Sequence, residues 1–266
     1  MSGGLNFAFD RRFEGGPFDI IGDVHGCGDE LEILLQKLGY SVTWHGLDLP
    51  PETTAPAGRR AIFVGDLVDR GPRAADSVAI VMAMCDAGQA LCVAGNHDVK
   101  FRRWLDCGKV SMTHGLQITA DDYAGRGADH RVAVSHFIRA LPAYLWLDAG
   151  RLVVAHAGIQ AAMIGHISHK IEHFCLYGDT DNRTDPTGLP QRYNWAARYD
   201  GSAMVVYGHT PVVEAAWLNG TACIDTGCCF GGALTALRYP EREIVSVPAR
   251  ASYARRQGVW GLPPTR

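Results

Sequence analysis

The sequence predicts an α/β protein whose mixed, two-sheet core is covered on the outside by helices. Three observations lead there. Five short apolar runs, Phe18-Asp19-Ile20-Ile21, Ala61-Ile62-Phe63-Val64, Ala90-Leu91-Cys92-Val93, Arg151-Leu152-Val153-Val154 and Ala203-Met204-Val205-Val206-Tyr207, each run into a short turn carrying Asp, Asn or His. Helical spacing fills the intervals between the early runs. After residue 222 the pattern alternates like paired strands instead.

In chain order, residues 1–16 are Gly-rich and read as a loose tail. The first strand leads into a helix in which Leu31, Leu34, Leu35 and Leu38 repeat at i, i+3, i+4, i+7, and Gly39 stops it. Pro50, Pro51 and Pro56 make 45–60 a loop. The second strand is followed by a helix over roughly 74–87, opened after Pro72 and ended by Gly88. The third strand precedes a mainly helical stretch, 99–147, broken at Leu141-Pro142. The fourth strand leads to a polar, Gly/Pro-bearing loop over 176–202, of a length that is usually functional or disordered. The fifth strand follows. Residues from Ala222 to Val247 read as two antiparallel strands joined through Gly231-Gly232. The expected division is a tail 1–16, one domain 17–248 and a C-terminal extension 249–266.

Composition narrows the class. With 266 residues, 47% of them hydrophobic, the chain can bury a sizeable core. A net charge of −3 gives no general electrostatic case for nucleic-acid or membrane binding. Arg11-Arg12 is followed by Phe13, Glu14 and two glycines rather than an apolar segment, and Val78 to Cys85 is too short to span a bilayer. The expectation is a cytoplasmic protein with no membrane partner. The eight cysteines form no CxxC pair, so free buried thiols are expected. The adjacent Cys228-Cys229 is a lesser redox candidate.

The chemistry lies at the strand ends. Gly22-Asp23-Val24-His25-Gly26, Gly65-Asp66-Leu67-Val68-Asp69-Arg70-Gly71, Gly95-Asn96-His97-Asp98, His156-Ala157-Gly158, Gly208-His209-Thr210 and, more weakly, Asp225-Thr226-Gly227 are short metal-ligand motifs. Strand ends of an α/β sheet deliver ligands to its carboxyl edge. Oxygen and imidazole donors without thiolate suit hard or borderline ions. Asp23, His25, Asp66, Asn96, His156 and His209 are the candidate ligands, with Asp66 able to bridge two ions because a carboxylate has two oxygens. Two divalent cations about 4 Å apart would hold a hydroxide and clamp phosphate oxygens. Manganese, iron, zinc and magnesium are ions of that kind. Arg70 is a planar fork suited to phosphate, and Asn96 would share the phosphoryl oxygens. His97 is placed to protonate a leaving oxygen, with Asp69 orienting it and keeping it protonated.

This motif set resembles the calcineurin-like metallophosphoesterases, the superfamily that includes the phosphoprotein phosphatases, over about Gly16 to Val247. The resemblance implies a four-layer α/β/β/α sandwich of two mixed sheets with a binuclear metal site at the carboxyl ends of the strands, commonly holding manganese, with iron, zinc, nickel or magnesium as alternatives. It implies hydrolysis of phosphate esters or anhydrides by direct attack of metal-bound hydroxide. Residue by residue, Asp23, His25, Asp66, Asn96, His156 and His209 match the family's ligands, Arg70 its phosphate-binding arginine, and His97 with Asp69 its acid pair. Finer stretches, among them Thr113-His114-Gly115-Leu116, Arg192-Tyr193-Asn194-Trp195-Ala196 and Leu237-Arg238-Tyr239-Pro240, are similar to the phosphatase domain of bacterial polynucleotide kinase-phosphatase and to stand-alone bacterial dinucleoside tetraphosphatases. The implied substrate is a small-molecule nucleotide or a phosphorylated nucleic-acid end. The chain has no GxxxxGK[ST] loop and no room for a ligase module. A protein serine/threonine phosphatase, with a phosphoprotein substrate, is the alternative. A catalytically silent, metal-dependent binding module is the lesser one.

Bland readings stand beside these. Asp98 reads as a helix N-cap and Asp225 as a turn former. His114 reads as a structural histidine, and His166, His169 and His173 as a surface stripe. Arg192 is either a solvated loop residue or a second phosphate contact. Trp44, Trp104, Trp146, Trp195 and Trp217 could supply a base-stacking surface, but aromatics are more often core.

Overall fold

In a computed structural model of the chain, described for residues 9–46, 49–184, 190–256 and 260–265, all five apolar runs are strands. The chain runs β1 (Asp10–Arg11), β2 (Phe18–Ile21), α1 (Gly28–Leu38), β3 (Ser41–Thr43), β4 (Glu52–Thr54), β5 (Arg60–Phe63), α2 (Ala74–Asp86) and β6 (Ala90–Cys92). Three helices follow, α3 (Asn96–Cys107), α4 (Leu116–Asp122) and α5 (Ala128–Ala140), then β7 (Tyr144–Leu147) and β8 (Leu152–Ala155). The remainder is α6 (His169–Tyr177), β9 (Asp179–Thr184), β10 (Pro190–Tyr193), β11 (Met204–Tyr207), β12 (Ala216–Leu218), β13 (Thr221–Cys223), β14 (Ala233–Tyr239) and β15 (Glu243–Pro248).

Two mixed sheets form. One has the order β15-β14-β2-β5-β6 and the other β1-β7-β8-β11-β13-β12. Side-chain alternation along each strand explains how they stack. Ile20, Ile62, Val154 and Val206 point into a layer between the sheets, with Phe18, Leu145, Leu152 and Ile224. Their neighbours Ile21, Phe63 and Ala61 face outward onto α1 and α2, where the leucine stripe of α1 and most of α2 are buried. Val153 and Val205 face the opposite side, onto Ile171 and Phe174 of α6 and onto Trp195. Three apolar layers between four structural ones make the expected α/β/β/α sandwich. One buried charge interrupts this pattern: Asp19 on β2 is held by Arg59 at 3.0 Å, Arg238 at 3.2 Å and the Tyr40 hydroxyl at 3.0 Å, which meets the requirement that a buried carboxylate be paired.

Several sequence expectations need correction. The loose tail ends at residue 9: Phe9 is buried against Tyr144, β1 pairs in parallel with β7, and Glu14 holds Arg11 and Arg60; residues 1–8 lie outside the described residues. A single aromatic anchor and a few charges outweigh the glycine content there. The 45–60 loop contains β4, antiparallel to β3. The polar 176–202 loop contains the ribbon β9–β10, whose side chains meet solvent and so show no apolar alternation; residues 185–189 lie outside the described residues. The late antiparallel pair is β14–β15, turning at 240–242, while residues 221–223 join the other sheet beside β11. Among the described residues no helix is long and apolar enough to cross a membrane.

Candidate metal centre

Parallel pairing aligns the carboxyl ends of β2, β5 and β6 in one sheet and of β8 and β11 in the other. The turns leaving these five strands carry Asp23 and His25, Asp66 to Arg70, Asn96 and His97, His156, and His209. They meet at Asp66. Its Oδ2 lies 3.4 Å from His25 Nε2 and 3.5 Å from His156 Nε2, while its Oδ1 accepts from the His97 backbone N–H at 2.9 Å. His156 Nε2 lies 3.0 Å from both Asn96 Oδ1 and His209 Nδ1. Asp23 Oδ2 accepts from the His209 backbone N–H at 3.0 Å. All six predicted ligand residues are therefore brought together, with His97, Asp69 and Arg70 beside them.

The backbone reaches this arrangement through unusual conformations. Among the described residues, ten non-glycine residues have positive φ, and five of them are His25, Asp66, Asp69, Arg70 and His209. Left-handed backbone at non-glycine residues costs about 1–3 kcal/mol each and concentrates at functional sites. Two glycines permit close approach. A Cβ on Gly208 would overlap Asp23 Oδ1, and one on Gly95 would overlap Asp66.

The donors fit cations. His25 Nδ1 pairs with the Val68 carbonyl at 2.9 Å and His156 Nδ1 with the Val64 carbonyl at 3.0 Å. Each ring nitrogen that donates to a carbonyl leaves the other lone pair turned to the centre, the usual orientation of a ligating imidazole. His156 Nε2 then faces two further acceptors, Asn96 Oδ1 and a His209 nitrogen. Asp23 Oδ1 and His209 Nε2 are buried with no hydrogen-bond partner. A cation answers each of these deficits, and the His25 Nε2 lone pair is already offered to the Arg70 guanidinium. Two groups of ligating atoms, His25–Asp66–His97 and Asp66–His156–His209, each lie within 4.8 Å, sharing Asp66.

Burial sets the protonation states. It holds His156 down to about 3 and His25 and His209 well below the ordinary histidine value, so the imidazoles are neutral and their lone pairs available. It pushes Asp66 up to about 7 and Asp98 up to about 8. In the unfolded chain these carboxyls titrate near 4 and histidines near 6.5. Between pH 6.5 and 8 the folded, metal-stripped protein thus retains carboxyl protons that the unfolded chain has released. Its stability should fall by on the order of 2 kcal/mol as pH rises across that window. Thermal melts of stripped protein should show the midpoint dropping over this range, and added manganese should reverse the trend. A flat or rising midpoint without metal would contradict the burial of these carboxylates.

His97 and Asp69 form the expected pair: His97 Nδ1 is 2.6 Å from Asp69 Oδ2. The expectation that Asp69 keeps His97 protonated needs correction. Burial, then the Arg70 charge, hold His97 well below its ordinary value, and Arg70 Nη2 donates to its Nε2 at 2.9 Å. Asp69 therefore orients the neutral ring. Sequence reasoning missed the group that holds Asp69: Thr119 of α4 accepts from Asp69 N at 2.9 Å and donates to its Oδ1 at 2.8 Å. No local motif marks it, because the contact spans fifty positions. Asp98 is not the N-cap of α3. It sits in the first turn and accepts from Gly95 N at 3.1 Å and Leu67 N at 2.8 Å, tying two of the ligand turns together.

Asp225 is more than a turn former. Its Oδ1 does accept from Gly227 N at 3.0 Å, yet it is buried at the centre, where its charge adds to the burial that raises the pKa of Asp23. Arg192, on β10, is half-buried and donates to the His209 carbonyl at 3.4 Å, which places it at the site rather than on a solvated loop. His114 is exposed, and His166, His169 and His173 lie on the surface. Trp195 is buried under the His156-Ala157-Gly158 turn, and Trp44, Trp104 and Trp146 pack against the cores, so they offer no stacking surface at the site.

Residues 16–237 match the family model of the calcineurin-like phosphoesterases. The chain is 45% identical over 240 residues to a protein of Anoxybacillus flavithermus named bis(5'-nucleosyl)-tetraphosphatase PrpE (asymmetrical), covering 89% of this chain and 96% of that one. It is 47% identical over 236 residues to the protein of the same name from Geobacillus thermodenitrificans, covering 87% and 94%. A crystal structure of a candidate diadenosine tetraphosphatase superposes with a TM-score of 0.64 at 23% identity, covering 90% of this chain and 96% of that one; at that identity the likeness speaks for the fold. Its span of matching sequence, its sandwich and its cluster of Asp, Asn and His at the strand ends make this chain a member of the calcineurin-like phosphoesterase family, a metallophosphoesterase and hydrolase.

Proposed function

We propose that the enzyme hydrolyses a dinucleoside tetraphosphate at an asymmetric position, releasing a nucleoside triphosphate and a nucleoside monophosphate. The observation that carries this reading is the 45% identity, over nearly the whole of both chains, to relatives named as asymmetrical bis(5'-nucleosyl)-tetraphosphatases. Two divalent ions, manganese first, would be held by Asp23, His25 and Asp66 on one side and by Asp66, Asn96, His156 and His209 on the other. When bound, such ions neutralise phosphoryl charge and lower the pKa of water to the neutral range. The remaining work falls to this chain's own groups. Asn96 and the guanidinium fork of Arg70 orient the reacting phosphoryl group. Arg192 adds a second positive charge on the β10 side. His97, fixed by Asp69 and Thr119, would present Nε2 to the leaving oxygen once the Arg70 donor at that nitrogen turns to phosphate. A cytoplasmic setting accords with eight unpaired cysteines.

The test sets diadenosine tetraphosphate, a 3′-phosphorylated oligonucleotide and a phosphoserine peptide side by side with manganese. The expected result is a strong preference for the first, with ATP and AMP as products by chromatography. Two ADP per turnover would overturn the asymmetric assignment. Preference for the oligonucleotide or the peptide would overturn the substrate.

A further inference from the structure

After β15 the chain folds back over the two turns that carry His209 and Asp225. Arg256 Nη1 donates to the Pro211 carbonyl at 3.0 Å and Gly261 N to the same carbonyl at 3.1 Å, two positions beyond His209. The Pro264 carbonyl accepts from Asn194 N at 2.9 Å, two positions beyond Arg192. The Trp260 ring lies against Gly227. The segment is thus tied to both rims of the metal centre.

Its charged and aromatic groups continue a line that starts at the centre. The Arg70 guanidinium stands 5.1 Å from the Phe230 ring centroid. Phe230 meets Trp260 edge-to-face at 6.5 Å, and the Arg256 guanidinium stands 5.0 Å from the Trp260 ring centroid. Such cation–aromatic contacts hold a guanidinium plane in place. Arg192, from β10, meets the His209 carbonyl at 3.4 Å. Burial holds Arg192 and Arg256 below the ordinary arginine value; Asp66 and Asp225 oppose it at Arg192 and Asp225 at Arg256, while Arg70 adds to it at both. One arginine is enough to orient one phosphoryl group. Further guanidinium forks anchored beside the His209 turn offer charge-assisted contacts to further phosphates.

We propose that Arg256, positioned by Trp260 and acting with Arg192, is a subsite for the phosphates that lie beyond the reacting one, so that the C-terminal segment confers preference for polyphosphate over monophosphate substrates. The inference rests on the nucleotide reading above, but its test does not depend on it.

The probe is inorganic tripolyphosphate, used as an inhibitor of p-nitrophenyl phosphate hydrolysis at saturating manganese, with orthophosphate as the comparison. In Arg256→Ala the tripolyphosphate inhibition constant should rise about tenfold, the size of one lost charge-assisted contact. The orthophosphate constant should move much less. Arg256→Lys, which keeps a charge over Trp260, should recover part of the loss and guards against a folding defect in the alanine variant. With diadenosine tetraphosphate as substrate, KM should rise about tenfold while kcat changes less. Equal weakening of tripolyphosphate and orthophosphate would mean a structural role and overturn the subsite, as would no weakening of either. If the wild-type enzyme fails to cleave diadenosine tetraphosphate while the tripolyphosphate difference holds, the substrate proposal falls and the subsite stands.

Discussion

Asp66→Asn is expected to lower turnover by about a thousandfold or more, equivalent to roughly 4 kcal/mol of transition-state stabilisation. Among the described residues Asp66 is the one that both clusters of donors share, with Oδ2 within 3.5 Å of both His25 and His156. The substitution keeps the shape and the oxygen that accepts from His97 N, so the fold should survive. Circular dichroism should match the wild type. The metal-stripped variant should also be no less stable at pH 8, because a buried carboxylate that resists ionisation has been removed. Turnover within tenfold of the wild type would remove Asp66 from the centre of the mechanism.

His97→Ala should show an effect that grows with the difficulty of the leaving group. With an alkyl phosphate monoester, whose leaving oxygen must be protonated, turnover should fall about 10²–10⁴-fold, the range of general-acid catalysis. With p-nitrophenyl phosphate or a dinucleoside tetraphosphate the leaving group is already stable as an anion, and the loss should be smaller. The structure explains why a dependence rather than a uniform loss is expected. His97 is neutral, with Nδ1 held by Asp69 and Nε2 accepting from Arg70. To act as the acid the ring must first gain a proton from solvent at Nε2: an anionic phosphate that draws Arg70 away frees that lone pair, Asp69 at Nδ1 favours the protonated ring, and the Nε2 proton then passes to the leaving oxygen. A loss of the same size for good and poor leaving groups would reassign His97 to positioning, and an unchanged rate would remove it from the mechanism.

Much of this centre was legible in the sequence because its ligands are local. Each lies in a turn directly after a strand, so an apolar run and a Gly-Asp, Gly-Asn or Gly-His junction, or for His156 the His-Ala-Gly turn, reveal both the element and the ligand. The i, i+3, i+4, i+7 leucines of α1 and the Gly39 stop were legible for the same reason, since helix period and cap are properties of neighbours. What could not be read were contacts between distant segments. Thr119 reaches Asp69 across fifty positions. Arg256 and Trp260 come from a stretch whose sequence looks like an extension, and their place at the site depends on a fold-back anchored at Pro211. The ribbon β9–β10 was hidden because exposed polar strands lack alternation, while β1 was hidden because two paired residues leave no periodic signal. The charge state of His97 was misjudged for a physical reason too: pairing with a carboxylate argues for protonation, but burial beside Arg70 outweighs it.

The most direct test of the account is metal stoichiometry by elemental analysis after manganese loading and removal of excess ion, on the wild type and on Asp66→Asn. The account predicts two ions per wild-type chain and a marked loss in the variant, because one carboxylate serves both positions. Two ions retained in Asp66→Asn, or none held by the wild type, would contradict a centre built on that shared carboxylate.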